Sequence, residues 1–131
     1  MEKNVIIVED DPFTKEFYRF IFKKAGYPCN IIEDANELLS ELSNKKVSLI
    51  IMDINLKNTY FNNVQTDGAK LSKYIKQNER FSSIPILIVT AYPIPSNGNN
   101  FFRESLAEDF VVKPITDIRM FLEKVNKLIV N

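Results

Sequence analysis

Apolar residues fall in short runs at Val5-Ile6-Ile7-Val8, Val47-Ser48-Leu49-Ile50-Ile51-Met52, Ile84-Pro85-Ile86-Leu87-Ile88-Val89 and Phe110-Val111-Val112. Continuous rather than alternating apolarity over so few residues is the pattern of strands buried on both faces, as in a parallel sheet. A weaker run, Cys29-Asn30-Ile31-Ile32, predicts a further strand nearer an edge. Between the runs the spacing turns helical, with Phe13, Phe17, Phe20 and Ile21 in one segment, Leu38, Leu39 and Leu42 in the next, then Leu71, Tyr74 and Ile75. The last segment is the clearest, since Ile118, Phe121, Leu122, Val125, Leu128 and Ile129 form one broad stripe.

Local punctuation supports these boundaries. Asp11 before Pro12 predicts an N-cap followed by proline at the first helical position, where the missing N–H costs nothing. Asp34 with Glu37 three residues later resembles a capping box, Gly26 suits the end of the first helix, and Thr116 is placed to cap the last. Strands alternating with helices give five βα units, and right-handed crossovers put helices on both faces of one sheet. The fold class expected is therefore α/β, a doubly wound five-stranded parallel sheet flanked by helices, with the whole of residues 1–131 as one domain and no linker. Two long polar segments, 55–66 and 92–100, stand apart as loops.

Composition narrows the function classes. With 17 basic and 17 acidic residues the chain lacks the basic excess that direct nucleic-acid binding requires. Cys29 is the single cysteine and there is no histidine, which removes an internal disulfide and a cysteine–histidine zinc site. Cys29 is expected to be a small core residue in a reducing compartment. The first apolar run stops at Glu9, so no signal peptide is expected, and no run reaches the roughly 20 apolar residues of a membrane span. A soluble cytoplasmic protein without membrane insertion is the expectation.

In doubly wound sheets ligands bind beyond the carboxyl ends of the strands. The residues at those ends are Glu9, Asp10 and Asp11, then Asp53, Thr90 and Lys113, a carboxylate cluster with one hydroxyl and one cation. Crowded carboxylates repel, and a hard divalent cation with oxygen ligands offsets that repulsion while leaving coordination positions for phosphoryl oxygens. Such a set suits phosphoryl transfer, in which positioning and charge neutralisation supply most of the catalysis.

The segments Val8-Glu9-Asp10-Asp11-Pro12, Met52-Asp53-Ile54-Asn55, Val89-Thr90-Ala91 and Phe110-Val111-Val112-Lys113-Pro114, in this order and each at a strand end, resemble the receiver domains of two-component response regulators, single-domain CheY-like receivers included. The resemblance covers essentially the whole chain and implies the flavodoxin-like receiver fold. It implies that Asp53 accepts a phosphoryl group from a sensor histidine kinase or phosphotransfer protein, with Mg2+ or Mn2+ as cofactor, and that the surface then switches for a downstream protein partner. By the same resemblance Asp10 is a direct metal ligand, Glu9 its companion, Asp53 a third ligand, and Asn55 supplies a backbone carbonyl. Thr90 and Lys113 take phosphoryl oxygens, Phe110 is the switch aromatic, and Pro114 follows a cis peptide bond. Asp11 is expected to cap a helix rather than bind metal. The chemistry is self-phosphorylation by phosphotransfer, not turnover as an enzyme.

Two departures from the family pattern are visible. Gly68, the glycine that opens the third helix, follows Asp53 at about twice the usual distance, and Lys57 stands near the place of a familiar proline. This implies an insertion carrying Lys57, Tyr60, Phe61 and Val64 among asparagines, expected as a surface-exposed loop more mobile than the sheet, whose aromatics either pack on the domain as a tolerated insertion or serve a partner or lid role. The segment after Thr90 also carries Pro93, Pro95 and Asn97-Gly98, so the region that relays activation is expected to move differently. Two other functions compete with a phosphoacceptor. One is a degenerate receiver that binds partners without phosphorylation. The other is a magnesium-dependent phosphohydrolase of the haloacid dehalogenase type, for which the nucleophile belongs after the first strand with a second aspartate two residues on, whereas Asp53 is followed by Asn55.

Overall fold

The structure is a computed structural model that describes residues 3–56, 59–91 and 101–130. Lys57 and the segment with Pro93, Pro95 and Asn97-Gly98 lie outside the described residues. The expected parallel sheet is present, built from β1 (Val5–Val8), β2 (Cys29–Ile32), β3 (Leu49–Asp53), β6 (Ile86–Thr90) and β7 (Asp109–Val112) in the order β2-β1-β3-β6-β7. All four strand pairings in it are parallel. The weak apolar run at Cys29 is indeed an edge strand, where half-exposure relaxes the demand for apolar residues.

Because successive side chains point to opposite faces, each strand feeds two cores. On one face Val5, Ile7, Leu49, Ile51, Leu87 and Val89 pack against α1 (Pro12–Ala25) and α5 (Ile118–Val130). On the other Ile6, Val8, Ile50, Met52, Ile86 and Ile88 meet α2 (Ala35–Asn44) and α3 (Gly68–Gln77), with Phe102 of α4 (Phe101–Ser105) against the cluster. No helix among the described residues is long and apolar enough to cross a membrane.

The helix ends follow the caps in part. Asp11 accepts from the Thr14 N–H at 2.8 Å, Asp34 from the Glu37 N–H at 3.3 Å, and Gly26 closes α1 at φ 79°, a left-handed conformation glycine adopts freely. The last helix is capped by Asp117 rather than Thr116, since the Asp117 carboxylate accepts from the Met120 N–H at 2.9 Å. Along α1 the buried residues are Tyr18, Ile21 and Phe22, whereas Phe13 and Phe20 face solvent. Apolar residues occupy most of that helix's circumference, so only packing against the sheet decides which arc is inside. Ile118 and Tyr74, expected on apolar stripes, are likewise exposed.

The insertion is not an irregular loop. It carries a hairpin of β4 (Tyr60–Phe61) and β5 (Val64–Gln65), with Asn62 and Asn63 at φ 52° and 67°. Two left-handed residues in a two-residue loop fit a type I′ turn, whose twist matches paired strands, and asparagine tolerates that conformation better than most residues. The hairpin is also docked. Thr59 is buried with its hydroxyl donating to the Glu33 carbonyl at 2.8 Å, Phe61 packs 4.9 Å from the Tyr74 ring, and Leu56 is buried, while Tyr60 and Val64 stay exposed.

Candidate functional site

The strand order reverses between β1 and β3, and the cleft beyond their carboxyl ends is lined by Asp10, Asp11, Pro12, Thr14, Asp53, Asn55, Ala91 and Lys113, enclosing about 370 Å³. Strand alternation decides which side chains meet there. Glu9 continues the face of Val5 and Ile7, Asp53 that of Leu49 and Ile51, and Lys113 that of Val111, so all three project toward α1 and α5. Thr90 continues the opposite face after Ile86 and Ile88, and Phe110, paired with Ile88, shares it.

Glu9 has no exposed surface and Asp53 is 4% exposed. The Lys113 ammonium bridges them, 3.1 Å from Glu9 Oε1 and 3.3 Å from Asp53 Oδ2. Glu9 Oε2 accepts from the N–H groups of Asp10 and Asp11 at 3.1 and 3.2 Å. The Asn55 N–H donates to Asp53 Oδ1 at 3.2 Å, so the Asp53 carboxylate is fixed at both oxygens. The backbone positions Lys113 as well, since its N–H donates to the Thr90 carbonyl at 2.7 Å ahead of a cis Lys113–Pro114 bond.

Behind this end of β3 the chain leaves no room. Gly68 N–H donates to the Ile54 carbonyl at 3.1 Å, and a Cβ on Gly68 would lie 2.0 Å from the Asp53 carbonyl oxygen. Glycine at the head of α3 is what lets the helix abut the end of β3, and the Asp67 side chain caps that helix by accepting from the Lys70 N–H at 2.9 Å.

The electrostatics follow from burial. Glu9 is raised from its ordinary 4.5 to about 7, chiefly by desolvation and then by the neighbouring Asp53 charge, against the opposing pull of Lys113 and the Asp11 N–H. Burial by itself would lower the Lys113 pKa, but the charges of Asp53 and Glu9 outweigh it and hold the ammonium above its usual range. Oxygens of Glu9, Asp10 and Asp53 lie within 4.8 Å of one another. One lysine against three converging acidic groups leaves an excess of negative charge that a divalent cation suits, and the donor set is all oxygen, as hard cations prefer.

Glu9, Asp10, Asp53, Asn55 and Lys113 thus meet in one place. Thr90 is buried and does not line the cleft, and Phe110 is only half-buried, its ring 5.0 Å from Phe102 with the Lys124 ammonium 5.7 Å above it. Sequence reasoning gave no role to Thr14, whose hydroxyl donates to Asp11 at 2.7 Å on the cleft wall, nor to Tyr18, which lies beneath the carboxylates. The helical spacing held Thr14 and Tyr18 one turn apart, but the phenylalanines around them drew the apolar arc elsewhere.

Acidic cluster, opposed lysine and buried threonine at the ends of a doubly wound sheet define a phosphoryl-accepting α/β switch domain. Residues 5–126 match the response regulator receiver domain family, and the chain belongs to it. The polar-differentiation response regulator DivK of Brucella anthropi is 26% identical over 125 residues, which span 95% of this chain and 94% of that protein. DivK of Brucella abortus is 27% identical over the same length. Among solved structures, a CheY-like receiver domain protein from Methanospirillum hungatei superposes at a TM-score of 0.77 with 26% identity, covering 98% of this chain and 94% of that one. The receiver domain of a sensor histidine kinase from Pseudomonas aeruginosa, with a magnesium ion coordinated in its active-site cleft, gives 0.82 at 18% identity over the full length of both.

Proposed function

We propose that this chain is one receiver domain that takes a phosphoryl group from a sensor histidine kinase or phosphotransfer protein onto Asp53 and hands the signal to a downstream protein in the cytoplasm. The observation that carries the proposal is the Lys113 ammonium bridging the Glu9 and Asp53 carboxylates at the strand ends, with the Asp10 oxygen beside them. Glu9, Asp10, Asp53 and the Asn55 carbonyl would hold Mg2+ or Mn2+, which supplies neutralisation of the phosphoryl charge. The magnesium bound by the Pseudomonas receiver domain supports the same cofactor here.

The chain's own residues perform the transfer as follows. An Asp53 carboxylate oxygen, aligned by the Asn55 N–H and Lys113, attacks the phosphorus of a phosphohistidine; the P–N bond breaks and its electron pair returns to the imidazole. Lys113 then pairs with one phosphoryl oxygen and the Thr90 hydroxyl donates to another, a hydrogen bond that draws Thr90 inward and opens space into which Phe110 turns. Partner access is supported by an apolar groove of about 490 Å³ beside the cleft, lined by Phe13, Thr14, Phe17, Ala91, Lys113, Pro114 and Ile115. Its rim carries Phe13, 86% exposed, which offers a kinase helix an apolar contact next to the acceptor.

Intact-mass measurement after incubation with a small phosphodonor and Mg2+ tests this. One added phosphoryl group is expected on the wild-type protein and none on Asp53→Ala. A stable acyl phosphate on the variant would move the acceptor elsewhere, and no addition to the wild type would leave a binding module that works without phosphorylation.

A further inference from the structure

Tyr18 is the least explained polar group in the protein. It is 1% exposed, and its hydroxyl has no hydrogen-bond partner among the described residues. Buried hydroxyls without partners are rare, because nothing repays the water they lose. The ring is fixed by aromatic neighbours, Phe17 at 5.8 Å, Phe22 at 6.3 Å and Phe121 at 6.2 Å.

The surroundings of the hydroxyl follow from three facts. Tyr18 belongs to the core cluster that contains Ile7, Ile51 and Val89. Glu9 and Asp53 are the next residues on that same face, two positions beyond Ile7 and Ile51. And α1 begins at the carboxyl end of the sheet and runs back along it, while helical side chains lean toward their own N-terminus, so the Tyr18 ring tilts toward the carboxylates. Its pKa is driven well above the usual tyrosine value by burial, then by the charges of Glu9 and Asp53, which keeps the O–H a donor.

Glu9 Oε1 receives a hydrogen bond from Lys113 Nζ, and the same ammonium is needed at the phosphoryl group once Asp53 is modified. Its departure would leave a fully buried carboxylate oxygen without that donor. We infer that Tyr18 is a positioning residue for the phosphorylated state, its idle hydroxyl donating to Glu9 once Lys113 is drawn to the phosphoryl oxygen and the released carboxylate shifts toward the ring. The inference rests on the acceptor role of Asp53 proposed above. It adds a function for a group beneath the cleft that touches neither phosphorus nor metal, and it explains why a donor without a partner is kept in an otherwise apolar core.

Tyr18→Phe keeps the ring and its aromatic contacts and removes only the oxygen. The unphosphorylated variant is expected to melt at or above the wild-type temperature, since it loses an unsatisfied group. Its acyl phosphate is expected to hydrolyse several-fold faster. Adding beryllium fluoride, a phosphoryl mimic, with Mg2+ should give the wild type a red-shifted tyrosine ultraviolet difference spectrum, the signature of a new hydrogen bond from a phenol, and Tyr18→Phe should lack it. An equal phosphoryl lifetime and an identical difference spectrum in the two proteins overturn the inference while leaving Asp53 as acceptor. Should the variant not fold, a wild-type spectrum without a tyrosine shift overturns it on its own. A wild type that takes up no phosphoryl group removes the acceptor assignment and this inference together.

Discussion

Glu9 shows how a single side chain sets the conditions under which the cleft works. A carboxyl whose pKa rises on folding, here from 4.5 to about 7, keeps its proton in the folded chain after the unfolded chain has lost it. Its contribution to stability is therefore fully present below pH 4.5 and is lost as the pH climbs to about 7, the reverse of a carboxylate whose pKa is depressed, because burial outweighs the Lys113 charge. A divalent cation competes with that proton. Mg2+ should consequently raise the melting temperature more at pH 8 than at pH 6, and equal shifts at the two values would show that Glu9 titrates elsewhere. Asp10→Ala should abolish most of the shift at either pH, whereas Lys113→Ala should retain it, because the lysine repels the cation it faces. The identities of Glu9, Asp10, Asp53, Thr90 and Lys113 were legible because each lies within two residues of the end of an apolar run. Their facing was not. Runs buried on both sides carry no alternation, so only the packed sheet reveals that Glu9, Asp53 and Lys113 share the face of α1 and α5 while Thr90 looks the other way.

At the scale of elements, β3 and α3 are joined more tightly than the long connection between them suggests. The contact is made by Gly68 against the Asp53 carbonyl, and Gly68→Ala would force apart the head of α3 and the end of β3. A backbone oxygen 2.0 Å away has no rotamer by which to yield, so the cost is expected at about 1–3 kcal/mol, as for other overpacked sites. Urea denaturation measures the loss, and phosphorylation from a small donor should slow in parallel; wild-type stability in this variant would mean that the helix shifts freely. The fold itself was readable from apolar runs and caps, but the β4–β5 hairpin was not. Asparagine at two consecutive positions reads as loop by composition, and only the left-handed φ of Asn62 and Asn63 turns it into a strand reversal. The docking of Thr59 and Phe61 is tertiary, set by Glu33 and Tyr74, which are distant in sequence.

For the whole molecule, the proposed function assigns chemistry to the cleft and partner recognition to the apolar groove beside it. Phe13 projects from α1 with 86% of its surface exposed, so truncating it should change stability by no more than about 0.5 kcal/mol. Phe13→Ala is expected to leave phosphorylation by a small donor at the wild-type rate and to slow transfer from a cognate histidine kinase at least several-fold. Equal slowing with both donors would place Phe13 in the chemistry instead. The hydrogen bond from the Gly68 N–H to the Ile54 carbonyl has a further consequence for the molecule as a whole. It ties off the chain between those two residues as a side excursion whose ends already meet, so the length of the excursion beyond Asn55 is decoupled from the geometry around Asp53. Lengthening such a closed loop costs little, growing only with the logarithm of its length. The Asn62–Asn63 turn is accordingly where the polypeptide can be cut to make new termini, or opened to admit a foreign sequence, with the cleft undisturbed.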